Sequence, residues 1–295
     1  MGVTRSGSDG AIQLRLCWAL AAVWLTAFLF SQVQAGLPTG AYAGAAQGLM
    51  LALIVVVHGW LAYGWKGLGA YVLIVATVAF SLEACSIATG FPFGYYTHYL
   101  AIGPKPLGVP IPVVIGYVVL GWFGWTLARL ITRDDPSNAG GLTRFTTPIV
   151  ASFILAGYDY PYDPIGSAVL NMYAYRHPSG QFGVPLTNYL GWLFTGWVFF
   201  QLFALLENRF RPSAAAGRRG FWLLPCLIWL GIALQYPILF AAAPAGTVER
   251  GGRSFVVADI YEAAVAGSLF TVVFPALIAL IRLYARRDAS VVDSA

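Results

Sequence analysis

The sequence predicts an all-α fold: a polytopic membrane helix bundle of about eight transmembrane helices, forming one integral-membrane domain over residues 1–295. Three observations carry this reading. Hydrophobic residues make up 59% of the chain and charged residues 10%, where soluble domains have about 45–50% and about 25%. The 33 Gly, 17 Pro and 10 Trp suit membrane helices and their interfaces. The apolar residues also fall in long runs, each close to the roughly 20 residues a helix needs to cross a bilayer.

Those runs lie at 12–33, 41–63, 67–89, 109–131, 146–170, 185–207, 220–242 and 256–283. The first has Arg5 before it and Arg15 near its start, and Val33-Gln34-Ala35 at its end offers an alternative reading as a cleaved signal peptide. The opening Met1-Gly2-Val3-Thr4-Arg5-Ser6 fits a myristoylation pattern, but it reads more simply as a plain tail. The second run is uncharged and the third carries a single acid, Glu83. The fourth ends at Arg129, and the fifth dissolves into Tyr158-Asp-Tyr-Pro-Tyr-Asp-Pro164. The sixth opens on Gly183-Val-Pro-Leu-Thr-Asn-Tyr-Leu-Gly-Trp192, the seventh is uncharged, and the eighth bears Asp259 and Glu262 in its first turns.

With eight spans, only Lys105, Arg176, Arg250 and Arg253 of the 17 Lys and Arg fall on one side. The rest share a side with both termini, which the positive-inside rule makes cytoplasmic. The net charge of +5 is thus a membrane signature and calls for no nucleic-acid partner. Expected location is the cell membrane. Cys17, Cys85 and Cys226 sit in apolar runs without CxxC spacing and read as small buried residues, not bridges or metal ligands.

Ionisable groups inside a membrane mark function by default. Asp9, Asp134, Asp135, Glu207, Asp288 and Asp293 fall among the cytoplasmic arginines and read as solvated loop charges. Glu83 lies six residues before the outer end of the third span, about 9 Å below it at 1.5 Å per residue. A free carboxylate does not belong there; Glu83 must be protonated, paired or facing a cavity, or else capped by Ser81 or Ser86. Thr89-Gly-Phe-Pro-Phe-Gly-Tyr-Tyr-Thr-His-Tyr99 follows, rich in rings and bends. Asp159 and Asp163, four apart, would share a helix face, although Pro161 and Pro164 predict that the backbone unwinds there. Asn188 completes an outer-side cluster. His58 reads as structural, His98 as ambiguous and His177 as solvated. Asp259 and Glu262 read chiefly as charges that favour a helix N-terminus, and Glu249 as plain loop.

What is missing narrows the chemistry. Three histidines cannot build His-rich di-iron boxes, and neither GxGxxG nor GxxxxGK[ST] occurs. No serine and histidine pair in a nucleophile-elbow setting. No metal and no cofactor are expected, which leaves acid–base chemistry on an apolar substrate.

Taken together, Glu83 with Thr89-Gly-Phe-Pro-Phe-Gly-Tyr-Tyr96, Gly108-Val-Pro-Ile-Pro112, Tyr158-Asp-x-x-x-Asp-Pro164 and Gly183-Val-Pro-Leu-Thr-Asn-Tyr-Leu-Gly-Trp192 resemble the membrane-embedded carotenoid hydratases, the bisanhydrobacterioruberin hydratase and γ-carotene 1'-hydroxylase type. The resemblance covers roughly residues 70–207; outside it only hydropathy matches. Two departures are Tyr158 where the family pattern leads one to expect Trp before the Asp, and the Tyr-Pro-Tyr between the acids. The resemblance implies addition of water to the terminal double bond of an acyclic carotenoid end, giving a tertiary alcohol. It implies a carotenoid or other long isoprenoid and water as partners in the lipid bilayer, and a site toward the outer face. Asp159, Asp163 and Glu83 are then the candidate catalytic acids. Phe91, Phe93, Tyr95, Tyr96, Tyr99, Tyr158, Tyr160, Tyr162, Asn188 and Trp192 are the candidate substrate-binding residues, with Tyr95, Tyr96 and Tyr158 facing a carbocation and Asn188 positioning water. Competing readings are an isoprenoid cyclase or isomerase, an intramembrane prenyltransferase using the Asp159 and Asp163 spacing, and a non-catalytic carotenoid-binding protein.

Overall fold

The computed structural model describes residues 9–34, 37–99, 103–132, 141–210 and 212–292. The expected N-terminal tail, Ala35 of the possible cleavage site, Arg133, Asp134, Asp135, Arg211 and Asp293 lie outside the described residues. The chain forms a helix bundle, as the apolar runs predict: α1 (Asp9–Val33), α2 (Pro38–Thr89), α3 (Ile111–Thr132), α4 (Thr143–Pro164), α5 (Leu186–Leu206), α6 (Arg219–Ala233), α7 (Gln235–Ala241), α8 (Val257–Ser268) and α9 (Phe274–Val292). Among the described residues six helical stretches are long and apolar enough to cross a membrane: Gly10–Val33, Pro38–Thr89, Ile111–Thr132, Leu186–Arg209, Arg219–Ala241 and Val257–Ala285.

The difference from eight has two sources. The second and third expected spans are both contained in the 52-residue α2, whose backbone breaks at Gly64 (φ 67°, ψ 177°). Leu68 Cδ1 lies 2.7 Å from where a Cβ on Gly59 would stand, although nine helical steps would separate two such residues by about 13.5 Å along a straight axis. The chain therefore turns back at Gly64, where a positive φ followed by an extended ψ suits a residue without a side chain. The other source is α4, which is of spanning length but carries Asp159, Asp163 and three prolines, too polar to qualify by hydropathy.

The expected unwinding at Pro161 and Pro164 does not occur: α4 runs through both and widens afterwards into a single π-helical turn, Ile165–Val169. Each proline removes one backbone donor. The wider turn re-engages the chain through Leu170 N–H to Ile165 O at 2.8 Å and Met172 N–H to Gly166 O at 2.9 Å, and α5 and α8 pack along α4. Neighbouring helices and local π adjustments are how membrane helices tolerate proline.

Two small antiparallel pairs were not expected. β1 (Tyr96–His98) pairs with β2 (Tyr173–Tyr175), placing Tyr96 opposite Tyr175 and His98 opposite Tyr173. β3 (Thr247–Arg250) pairs with β4 (Arg253–Val256), so Glu249 lies exposed in a hairpin and not in irregular loop. Arg250 then reaches across and donates to Ser167 O, at 3.2 Å, and Ala168 O, at 2.8 Å. It thereby satisfies carbonyls at the end of the α4 extension.

The core is aromatic: Trp122, Trp125, Trp229, Tyr117, Phe199, Phe200 and Phe203 are among its fully buried side chains. His58 is structural as expected, its Nδ1 accepting from Trp122 Nε1 at 3.1 Å and its ring stacked on Phe221. Glu207 corrects the reading of a solvated loop charge. It is buried, accepts from Tyr63 Oη at 2.8 Å and lies 3.9 Å from Arg129 Nε. Trp125 Nε1 and Arg129 both donate to the same Tyr63 oxygen. This ties the turn of α2 to α3 and the end of α5, because a buried acid left without donors is costly. Cys17 and Cys226 are buried free thiols and Cys85 is half-buried.

Candidate active site

Glu83 sits two turns before the end of α2. The helix closes on Gly90, whose φ of 84° and N–H bond to Ser86 O make a left-handed cap. Ser86 does not cap Glu83. Its hydroxyl instead donates to Gly94 O at 2.7 Å and accepts from Phe93 N–H at 3.0 Å, folding the segment after α2 back over the helix end. That return brings Tyr96 and His98 above Glu83. Glu83 is 4% exposed, accepts from Tyr96 through Oε2, and accepts from Tyr117 Oη at 2.7 Å through Oε1. His98 Nε2 is 3.6 Å from the same carboxylate and has no hydrogen-bond partner among the described residues.

The second acid group stands on α4. Helical continuity puts Asp159 and Asp163, 3% and 2% exposed, on one face. Asp163 accepts from Tyr173 through Oδ1, and through Oδ2 from Tyr175 at 2.7 Å and from the Asn188 amide at 2.8 Å. Asn188, in the first turn of α5, donates at 2.9 Å to Asp159 as well, so one amide joins the two carboxyl groups. Tyr173 reaches Asp163 by passing Gly166, where a Cβ would stand 2.9 Å from its hydroxyl. Burial first, and the neighbouring carboxylates second, hold the Tyr96, Tyr173 and Tyr175 phenols well above their usual range. These phenols therefore remain hydrogen-bond donors to the acids at any physiological pH.

Both groups meet in a cavity of about 460 Å³. Glu83, His98, Asp163 and Asn188 line it together with Phe93, Tyr96, Tyr117, Tyr158, Tyr162, Tyr173, Tyr175, Met172 and Trp192. Asp159 is not among the lining residues and connects to the cavity through Asn188. The walls are stacked: Trp192 lies over Tyr117 at 4.4 Å and Tyr158 over Tyr162 at 5.6 Å.

Four of the expected substrate-binding residues point elsewhere. Tyr95 and Tyr99 alternate with Tyr96 and His98 along an extended segment, so they take the opposite face. Both are exposed, and Tyr95 lies under the Arg176 guanidinium. Phe91 is exposed against Phe194. Tyr160 is two residues from Tyr158 on α4, hence on the other side of the helix, where it meets Tyr189 and faces a separate apolar groove. Phe93, Tyr96, Tyr158, Tyr162, Asn188 and Trp192 do line the cavity. Sequence reasoning missed Tyr117, Tyr173 and Tyr175. The period-two spacing of Tyr173 and Tyr175 was the available signal for the last two; Tyr117 is hidden in an apolar run. His98, ambiguous in sequence, belongs to the site, whereas His177, Asp259 and Glu262 are exposed. Among the described residues no group of three or more His, Cys, Asp or Glu side chains is placed to hold a metal ion.

Fold and site define a multi-pass membrane helix bundle with buried carboxyl groups held by phenols at an aromatic cavity. The chain belongs to the carotenoid biosynthesis protein family, whose model matches residues 16–247, well beyond the 70–207 that the motifs cover. It is similar to the bisanhydrobacterioruberin hydratase of Haloarcula japonica, 30% identical over 179 residues. That match takes in 57% of this chain and 57% of the relative, so it spans little more than half the length of the curated protein. No solved structure matches the chain.

Proposed function

We propose that this protein is a carotenoid hydratase, adding water across the terminal isopropylidene double bond of an acyclic carotenoid end without a cofactor. The observation that carries the reading is the cavity itself. Two separately anchored acid groups, on α2 and α4, face one aromatic-walled space large enough for the end of a long isoprenoid. Pockets for small apolar ligands run to about 300–1,000 Å³ with a few convergent polar groups, and this one has that character. Family membership and the similar hydratase support the substrate class.

In the proposed reaction the Asp159–Asn188–Asp163 group supplies a proton, through Asp163, to the CH carbon of the double bond. The π electrons form the new C–H bond and leave a tertiary cation. Faces of Tyr158, Tyr162 and Trp192 stabilise that cation, by about 0.5–2 kcal/mol per ring. Water held between Glu83 and His98 attacks the cation, and Glu83 accepts the proton released as the C–O bond forms. Proton exchange with water then restores Asp163 as the acid and Glu83 as the base, and the sum is the addition of one water. Division of labour between an acid and a base in distinct surroundings is the usual arrangement of such sites.

Counting the two arms of α2 and including α4 gives eight crossings, with both termini cytoplasmic by charge and the acid site toward the outer face of the cell membrane. A polyene dissolved in lipid and water from the interface both reach such a site. Expression in a lycopene-producing bacterial host tests the function: pigments gain about 18 mass units per hydrated end, the mass of water that acid–base addition requires. Unchanged pigment alongside folded protein refutes hydration, and an isomeric product of equal mass points to cyclisation or isomerisation.

A further inference from the structure

The cavity at the acids, about 460 Å³, has the size of a site for one small apolar ligand, so the rest of a long polyene needs a path. A second cavity of about 300 Å³ adjoins the first, sharing Gln47, Pro112, Gly116, Leu120 and Tyr158 with it. It lies between α1, the first arm of α2, α3 and the α6–α7 junction, walled by Phe28, Leu51, Val119 and Ile232. Its two amides are engaged: Gln47 accepts from Trp24 Nε1 at 3.1 Å, and Gln235 is hydrogen-bonded to Tyr158. The surface left to a ligand is mainly hydrocarbon.

Two glycines stand where the second cavity approaches the outside of the bundle. Gly48 on α2 and Gly116 on α3 both line it, and among the described residues neither has a heavy atom within 4 Å of the place a Cβ would occupy. Gly48 is exposed, as is Ile115 next to Gly116. Most other helical glycines here are packed against neighbours, as at Gly157, Gly191 and Gly231. Glycine in a helix costs about 1 kcal/mol relative to alanine. At these two positions no packing contact offsets that cost, and what the missing side chains leave is free space.

We propose that this second cavity is the tail subsite of the acid cavity, receiving the apolar chain behind the reacting end from the bilayer between α2 and α3. Gly48 and Gly116 are its specificity-determining residues, because they keep the passage open. The inference rests on the hydratase reading and names how that site admits a long substrate.

The test uses purified full-length protein in lipid nanodiscs, with Gly48→Leu, and Leu51→Phe as a second way to fill the subsite; both positions line the second cavity and not the acid cavity. Leucine is a better helix former than glycine, so the helices themselves are not weakened. Two substrates are compared: a full-length acyclic carotenoid, and a short acyclic isoprenoid with the same terminal isopropylidene group. The expected result is a fall of about tenfold or more in kcat/KM for the long substrate with the short one within about twofold. Equal effects on both substrates, or none on either, overturn the subsite. Retention of the long polyene, read from its visible absorbance after purification, is measured in parallel. Should wild type hydrate neither substrate, the hydratase reading fails. The subsite then stands if the two variants lose the bound polyene, and falls if they keep it.

Discussion

Replacing Asp163 by Asn changes one atom type at an acid surrounded by three hydrogen-bond donors. Its carboxyl group accepts from Tyr173, from Tyr175 at 2.7 Å and from Asn188 at 2.8 Å. For Asp163 in the protonated form from which the proposed reaction starts, hydrogen bonds contribute about 0.5–1.5 kcal/mol each. Three bonds each weakened by about 1 kcal/mol, with hydroxyls free to rotate toward the new amide, give a stability loss of about 2–4 kcal/mol. Catalysis loses more, since a positioned acid or base supplies about 10²–10⁴-fold. Tyr175→Phe removes one of the same donors and leaves the acid, so it separates the two effects: a comparable loss of stability with far milder loss of rate. The assay is conversion of lycopene in a bacterial host, normalised to folded protein by size-exclusion, with thermal unfolding of the purified variants alongside. Folded Asp163→Asn protein hydrating within about threefold of wild type refutes the assignment of this acid to the chemistry.

Glu83→Gln, with Tyr96 and Tyr117 still present, is expected to lower hydration by about 10²-fold or more without loss of folded protein, read by the same pigment mass analysis. Gly166→Val places side-chain atoms where the Tyr173 hydroxyl passes; the expected outcome is a folded protein with about tenfold or greater loss of rate, and wild-type rates mean that Tyr173 is dispensable. Glu207→Gln is expected to lower stability by about 1–3 kcal/mol while hydration per folded molecule stays unchanged, checked by comparing unfolding with turnover. Addition of a strong chelator to the purified protein is expected to leave hydration intact; a loss restored by a divalent ion argues instead for diphosphate chemistry at Asp159 and Asp163.

The bundle was legible because hydropathy acts over whole spans, and a mainly apolar run of 22 residues such as Ile111–Thr132 has few alternatives to a helix. The acids were legible for a related reason, since Glu83, Asp159 and Asp163 stand out against a sequence with 10% charged residues. Less visible were the partners that hold them. Tyr117 is one aromatic among many in α3, and only the tertiary approach of α2 gives it an acid to bind. Strands of three residues are too short for periodicity to register, so the ring-rich segments after α2 and α4 read as aromatic belt, and Tyr95, Tyr99 and Phe91 were counted with residues on the opposite face. Proline misled at 161 and 164 because its local cost is set against packing from α5 and α8, which no local rule contains. Glu207 looked solvated because its partners, Tyr63 and Arg129, are far away in sequence.

The β1–β2 pairing has a consequence for how this region tolerates change in length. Side chains alternate along a strand, and a slip of one residue sends every inward group outward. Tyr96 and His98 on one strand and Tyr173 and Tyr175 on the other point at the acids only in the present register. The segments joining these strands to α2 and α4 look like surface loops, the places where insertions are commonly absorbed. Here a single added residue would exchange Tyr173 and Tyr175 for Met172 and Ala174, stripping Asp163 of its phenols while leaving the chain's composition almost untouched. The length of these connections is therefore fixed by the acid site, whereas substitutions at the outward positions Thr97 and Ala174 leave the phenols in place.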